Sequence, residues 1–153
     1  DVHHGNGTQA LVEGTKDIRF VSMHQWPWYP GTGPASDRGP HRSVWNVPMR
    51  ASLPPSAYTD ALTKAIDDAT RGFVPDLVLI SAGFDSLAGD PLGGFTLEPE
   101  HFVQLTNDIV DRAKTWCGGR VVSALEGGYA PERVAVASVA HMRALAEMAT
   151  FGS

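Results

Sequence analysis

The stretch Leu77-Val78-Leu79-Ile80-Ser81-Ala82-Gly83-Phe84-Asp85 joins a continuous apolar run to a small-residue turn that ends on a carboxylate. Four consecutive apolar residues, Leu77 to Ile80, predict a strand that is covered on both faces, as strands of parallel sheets are. The Gly83-Phe84 turn then exposes Asp85 at the end of that strand. The segment therefore predicts a buried parallel strand that presents an acidic side chain where it ends.

Strand and helix signals alternate on either side of this stretch. Apolar residues recur with a period near 3.6 from Ser56 to Gly72, where Ser56 is placed to cap the helix start and Gly72 ends it. A long aromatic, Pro- and Gly-rich loop occupies residues 25–42. The remaining predicted elements are strands at 18–23, 44–49 and 121–125, the last of them buried, and helices at 99–116 and 131–148.

This alternation predicts an α/β fold with a mostly parallel sheet flanked by helices. We expect residues 1–153 to form a single domain, because no linker or internal repeat interrupts the pattern. In such folds ligands gather at the carboxyl ends of the strands. The polar residues His24, Asp85 and Tyr129 each follow a predicted strand, and Ser22 lies near the end of the first of these strands. Their convergence predicts a functional site at that edge of the sheet.

The opening residues Asp1-Val2-His3-His4-Gly5-Asn6-Gly7-Thr8-Gln9 contain a metal-ligand pattern. In an extended segment Asp1 and His3 project to the same side, while His4 points away and is expected to have a structural role. A carboxylate and an imidazole on one face suit Zn²⁺ or a similar divalent ion. The alternative is an exposed, disordered terminus that happens to contain histidines.

Two further residues complete a candidate hydrolytic site. Asp85 can supply a third metal ligand beside Asp1 and His3, which leaves a fourth position open, as in catalytic zinc sites. Tyr129, on a glycine turn after Gly128, can donate a hydrogen bond to an oxyanion. The alternatives are a turn or helix-capping role for Asp85 and a core position for Tyr129.

Three motifs together resemble the histone deacetylase family of zinc-dependent amidohydrolases, which includes bacterial acetoin-utilisation proteins and acetylpolyamine amidohydrolases. They are the opening segment, Ser81-Ala82-Gly83-Phe84-Asp85-Ser86-Leu87-Ala88-Gly89-Asp90-Pro91-Leu92, and Glu126-Gly127-Gly128-Tyr129. Residues 21–26, 29–33 and 46–48 add to the match. The resemblance implies the arginase/deacetylase fold, and we expect the chain to represent the C-terminal half of the family's domain.

The resemblance also implies roles for individual residues. The reaction would be zinc-dependent removal of acetyl groups from N-acetylated lysine, polyamines or other amines, with Tyr129 stabilising the transition state. The family's general-base His-His pair is not found in this chain, so activity is expected to be impaired. Other implied roles are the orientation of a catalytic histidine by Asn6, a K⁺ or Na⁺ site at Ser22 and the Met23 carbonyl, an aromatic tunnel wall at Tyr29, and substrate binding at Gly127 and Gly128.

Two interpretations that assign the chain to other functional classes stay open. An esterase acting on small acyl esters could use zinc-bound water or, less favourably, Ser86 as a nucleophile, although no Asp-x-x-His pair follows to activate it. Alternatively, the chain is a non-catalytic fragment that binds metal. An incomplete parallel sheet exposes an edge and apolar surface, so we expect a homo-oligomer, or pairing with the missing N-terminal half.

Composition narrows the cellular context. The net charge of −5 argues against direct nucleic-acid binding, which requires a basic face. The single cysteine, Cys117, excludes an internal disulfide and is typical of a reducing cytoplasm. No apolar run within residues 1–153 is long enough to cross a membrane, and we expect no signal peptide. We therefore expect a cytoplasmic protein.

Overall fold

The computed structural model describes residues 1–147, and the predicted end of the last helix at Met148 lies outside them. The structure has eight elements, and seven of them follow one another in the order that the sequence predicts; the short first helix, just after the opening metal-ligand pattern, was not predicted. The eight elements are α1 (Asn6–Val12), β1 (Phe20–Gln25), β2 (Val44–Met49), α2 (Pro55–Thr70), β3 (Val78–Ala82), α3 (Pro99–Cys117), β4 (Val121–Leu125) and α4 (Pro131–Glu147).

All strand pairing between these elements is parallel, and the predicted α/β fold is confirmed. The strands form two separate two-stranded sheets, β1 with β2 and β3 with β4, instead of the one sheet expected. Val2 lies between them: its carbonyl accepts the Gln25 N–H at the end of β1, and its N–H donates to Asp85 beyond β3. The opening segment therefore joins the carboxyl ends of both sheets.

Apolar residues adjacent to the site anchor it in the core. Val2 is fully buried in a cluster with Tyr58 and Phe95, whose rings stack at 4.1 Å. Phe84, which precedes Asp85, packs with Leu87 in a second cluster. Burying one such side chain contributes about 1.5–3 kcal/mol. The backbone that carries the candidate ligands is thus fixed by its apolar neighbours.

The prediction that β3 and β4 are buried on both faces is wrong. Leu79 is 72% exposed and Val122 is 54% exposed. On the opposite face, the Ser123 hydroxyl of β4 reaches His141 of α4. The helices therefore cover one face of this sheet, and the apolar sequence of the strands makes the other face an apolar surface.

Element boundaries differ from prediction where prolines and glycines decide them. Helix α2 begins at Pro55 with Pro54 as N-cap and no side-chain cap, so Ser56 lies in its first turn and does not cap it. Proline is preorganised for this position because its φ is already helical. Strand β1 begins two residues later than predicted, and α3 ends with Gly118 in the left-handed conformation. No helix within residues 1–147 has the length and apolarity needed to cross a bilayer.

His141 links three elements through a buried polar network. Its Nδ1 lies 2.7 Å from the Thr106 hydroxyl of α3, and its Nε2 lies 2.8 Å from the Ser123 hydroxyl of β4. Burial lowers the pKa of His141 from its ordinary value of 6.5, because the charged imidazolium would lose its hydration.

This burial predicts that stability falls with acidification. His141 binds a proton more readily in the unfolded chain than in the folded one. The contribution of neutral His141 to folding stability is therefore complete above pH 6.5 and is lost as the pH falls towards the lowered pKa of the folded state. Urea unfolding between pH 7.5 and 5 measures this loss, and we expect a shallower dependence in His141→Gln. An identical slope in the two proteins would assign the pH dependence to other groups.

Candidate active site

Asp1, His3 and Asp85 come together where β1 and β3 end. One ligand atom from each lies within 4.8 Å of the others. The Nδ1 atom of His3 is 2.9 Å from Asp85 Oδ2 and 3.3 Å from Asp1 Oδ1. Zinc ligands sit about 2.0–2.2 Å from the ion, so their atoms must approach one another this closely. Two carboxylates and one imidazole therefore fit a divalent metal in both chemistry and spacing.

Backbone amides orient both carboxylates. Asp85 is fully buried, and its Oδ1 accepts the Val2 N–H at 2.6 Å, which leaves Oδ2 facing His3. Asp1 Oδ1 accepts the His3 N–H at 2.7 Å, and Asp1 Oδ2 accepts the Gly127 N–H at 3.2 Å. These hydrogen bonds fix the ligands in the way that outer partners do at metal centres.

Glycine is required where the Glu126–Tyr129 turn meets the carboxylates. A Cβ on Gly127 would overlap the Asp85 carboxylate and approach Asp1 Oδ2 to 3.0 Å. Gly83 approaches Asp1 in the same way. The Gly127 carbonyl accepts the Phe84 N–H at 2.7 Å, so both of its backbone polar groups are used inside the chain.

This close approach predicts that Gly127→Ala disrupts the candidate metal site. The added methyl group must displace Asp85, and we expect zinc affinity to fall by about 10–100-fold, as when a ligand's supporting partner is lost. Competition with a chromophoric chelator measures the affinity. Gly14→Ala is the matched control, because nothing lies within 4 Å of its new Cβ. Equal zinc affinity in the two variants would contradict the assignment.

A pocket of about 790 Å³ is lined by Asp1 and His3, while the third candidate ligand, Asp85, lies fully buried behind His3. Tyr129, half exposed, lies on one side, and Tyr29, 76% exposed, lies on another with its ring edge-on to His3 at 6.0 Å. The Trp28 indole N–H donates to the Leu92 carbonyl at 2.9 Å, which joins the loop after β1 to the loop after β3. The pocket thus combines polar ligands at its base with an aromatic and apolar rim.

Both other histidines near the pocket are committed to internal hydrogen bonds. The His4 nitrogens lie 2.8 Å from Thr32 Oγ1 and 2.8 Å from Gln9 Oε1. His24 Nε2 lies 2.9 Å from the Gly33 carbonyl, and burial lowers the pKa of His24. Across the described part of the chain, no imidazole at the pocket other than His3 keeps a nitrogen free of a protein partner.

The remaining predicted residues lie around this centre. Asn6 begins α1 and is exposed; its backbone N–H donates to the His4 carbonyl. Ser22, Met23 and His24 all lie within β1, so the prediction that His24 follows this strand is wrong. Ser22 is buried with its hydroxyl 3.1 Å from His24 Nδ1, and Met23 packs against the first core cluster. Gly128 adopts a φ of 137°, which favours glycine. The cation-site and orienting roles of Asn6, Ser22 and Met23 stay predictions.

Two positions that matter to the pocket were not singled out from the sequence. Asp90 is 5% exposed and accepts the N–H groups of Leu92 and Tyr129. Trp28 joins the loop after β1 to the loop after β3 through its indole N–H. The Gly-Asp-Pro context marks Asp90 as a turn residue, and its link to Tyr129 spans 39 positions that no local pattern connects.

Comparison with known proteins finds histone deacetylases both among family models and among individual relatives. The histone deacetylase domain family matches residues 1–145. Histone deacetylase 14, chloroplastic, from Arabidopsis thaliana is 38% identical over 148 residues, which are 95% of this chain and 35% of that protein. The chain spans less than half of the length of the curated relatives it matches.

Solved structures match over nearly the whole chain. The HD domain of HDA15 has a TM-score of 0.84 and 33% identity, covering 95% of this chain and 43% of that one. An acetylpolyamine aminohydrolase from Burkholderia pseudomallei has a TM-score of 0.83 and 26% identity, covering 97% and 43%.

Proposed function

The chain belongs to the histone deacetylase family, and from that premise we propose that it is a zinc-dependent hydrolase which removes acetyl groups from N-acetylated lysine or amines. The observation that carries this proposal is the convergence of Asp1, His3 and Asp85, two of which line the same pocket as Tyr129. Two carboxylates and one imidazole leave room for a substrate or water, as catalytic zinc sites do.

The residues around the pocket divide the remaining tasks. When bound to the three ligands, zinc supplies Lewis-acid polarisation of the acyl carbonyl and of water. Tyr129 donates its phenolic hydrogen bond to the negative charge that develops on the acyl carbonyl oxygen when water attacks the acyl carbon. Tyr29, Trp28 and Leu92 line the pocket with apolar surface, which suits an extended methylene chain. The substrate class follows as an acyl group on a long, slender amine.

Proton transfer is the step for which the pocket, among the residues that the structure describes, offers no free histidine as a general base. His3 is needed as a ligand, and both nitrogens of His4 are hydrogen-bonded. General acid–base catalysis typically contributes 10²–10⁴-fold. Amide hydrolysis by this chain is therefore proposed to be impaired, and esters are favoured substrates because their leaving group needs less protonation.

A panel of three acyl substrates tests the proposal. Fluorogenic acetyl-lysine peptide, an N-acetylated polyamine and p-nitrophenyl acetate are assayed with and without a chelator, followed by zinc re-addition. We expect chelator-sensitive turnover restored by zinc, fastest on the ester. Turnover that persists after the chelator has removed all metal would overturn the zinc hydrolase.

The alternatives receive less support. Ser86 is only 3% exposed, and no histidine among residues 1–147 hydrogen-bonds its hydroxyl, so a serine nucleophile lacks both access and a base. A metal-binding fragment without turnover stays an alternative. Self-association through the exposed face of Leu79 and Val122, and a cytoplasmic location, stay predictions.

A further inference from the structure

We propose that Asp90 is a positioning residue, which fixes the backbone of Tyr129 and the opposite rim of the pocket in one arrangement. The inference rests on the proposed function for its catalytic consequence. Asp90 Oδ2 accepts the Tyr129 N–H at 2.7 Å, and Asp90 Oδ1 accepts the Leu92 N–H at 2.9 Å. The Asp90 carboxylate thus links the backbone of Tyr129 to the backbone of Leu92, which lies on the pocket rim.

Burial makes this arrangement specific to a carboxylate. Asp90 is 5% exposed, and none of the ion pairs found within residues 1–147 includes it. A buried charge without a cation must be satisfied by hydrogen-bond donors. The two backbone N–H groups meet that requirement, one for each carboxylate oxygen. An asparagine can accept only one of them and turns a second donor towards the other.

The link continues across the mouth of the pocket. The Leu92 carbonyl accepts the Trp28 indole N–H at 2.9 Å, so Asp90 connects Tyr129 to the loop that holds Tyr29. The side chains of Leu92 and Tyr129 are about half exposed, at 46% and 49%, and apolar packing does little to fix either. The carboxylate therefore holds these two exposed positions in place.

Amide exchange in the wild-type chain tests the contacts without any substitution. Both amides belong to loops, yet hydrogen bonds to a buried carboxylate should protect them. Hydrogen exchange followed by NMR is expected to show the Leu92 and Tyr129 amides exchanging far more slowly than in an unfolded peptide. Exchange of both at the unfolded-peptide rate would overturn the proposal, whatever the variants do.

A fluorine label reports the position of the phenol independently of activity. The chain has three tyrosines, so 3-fluorotyrosine gives three ¹⁹F resonances, and Tyr129→Phe identifies the one at issue. In Asp90→Asn we expect the Tyr129 resonance to shift and broaden while the buried Tyr58 resonance stays unchanged. Asp111→Asn is the control, because it makes the same chemical change at an exposed carboxylate that pairs with Lys114 on the surface of α3, away from the pocket. An unmoved Tyr129 resonance in folded Asp90→Asn would contradict the proposal.

A double-mutant cycle then tests the catalytic consequence. Asp90→Asn is expected to lower kcat by about 10–100-fold, as misplacement of a reacting group does, with KM and zinc content changed little. The same substitution in Tyr129→Phe should cause no further loss, since the group it positions is gone. An equal loss in both backgrounds would overturn the role. If the wild type hydrolyses nothing while the fluorine signal moves, the proposed function is wrong and the positioning of Tyr129 stands.

Discussion

Asp85→Asn is expected to abolish chelator-sensitive hydrolysis and to weaken zinc binding by at least about 100-fold, since losing even a ligand's outer partner costs 10–100-fold. Asparagine keeps an oxygen for the Val2 N–H and places an amide where Oδ2 faces His3. The fold is therefore preserved while one anionic ligand is removed. Zinc titration by calorimetry and the ester assay together measure the loss.

Asp111→Asn is the matched control for this substitution, because Asp111 is 71% exposed and its side chain pairs, among residues 1–147, only with Lys114 on the helix surface. Its zinc affinity and turnover should equal those of the wild type. Asp85→Asn that binds zinc as tightly as this control would remove Asp85 from the metal site. Circular dichroism of both variants verifies that the comparison is between folded proteins.

Tyr129→Phe is expected to lower kcat by about 10²–10³-fold, the usual effect of deleting one donor to a developing oxyanion. The hydroxyl is the only group removed, and the backbone link to Asp90 is retained. Zinc affinity should therefore stay at the wild-type value. Steady-state kinetics on the best substrate of the panel, with zinc content measured on the same sample, separates the two effects.

Tyr29→Phe provides the comparison within the same pocket. Its ring is proposed to contact substrate through its apolar faces, so loss of its hydroxyl should leave kcat nearly unchanged. Equal losses of kcat in the two tyrosine variants would show that neither hydroxyl has a specific role at the oxyanion.

The sequence predicted the order of the elements because hydrophobic periodicity and proline and glycine signals are local. Helix α3 and strand β2 appear where the patterns place them. The convergence of Asp1, His3 and Asp85 was also predictable, because parallel strands bring the residues at their carboxyl ends together; the structure brings them together between the carboxyl ends of two sheets, not at the edge of the single sheet expected. Strand positions can be predicted locally, and because ligands bind at the carboxyl ends of parallel strands, these positions are enough to predict where the site lies.

The exposure of the strands and the long-range hydrogen bonds could not be predicted from the sequence. The apolar sequence of β3 predicted burial on both faces, yet Leu79 is exposed, because coverage depends on which elements pack against a strand and not on the strand itself. The role of Asp90 depends on Tyr129, 39 residues away, and a turn aspartate looks the same in sequence whether or not it has such a partner. Both features belong to tertiary structure.

Zinc K-edge X-ray absorption on the metal-loaded wild-type chain tests the central claim most directly, because it counts the ligands by type. The account predicts oxygen and nitrogen ligands at about 2.0–2.1 Å, with the outer scattering of a single imidazole and no sulfur shell. This is the signature of Asp1, His3 and Asp85 with solvent in the open position. A sulfur shell from Cys117, or scattering from two or more imidazoles, would contradict the proposed centre.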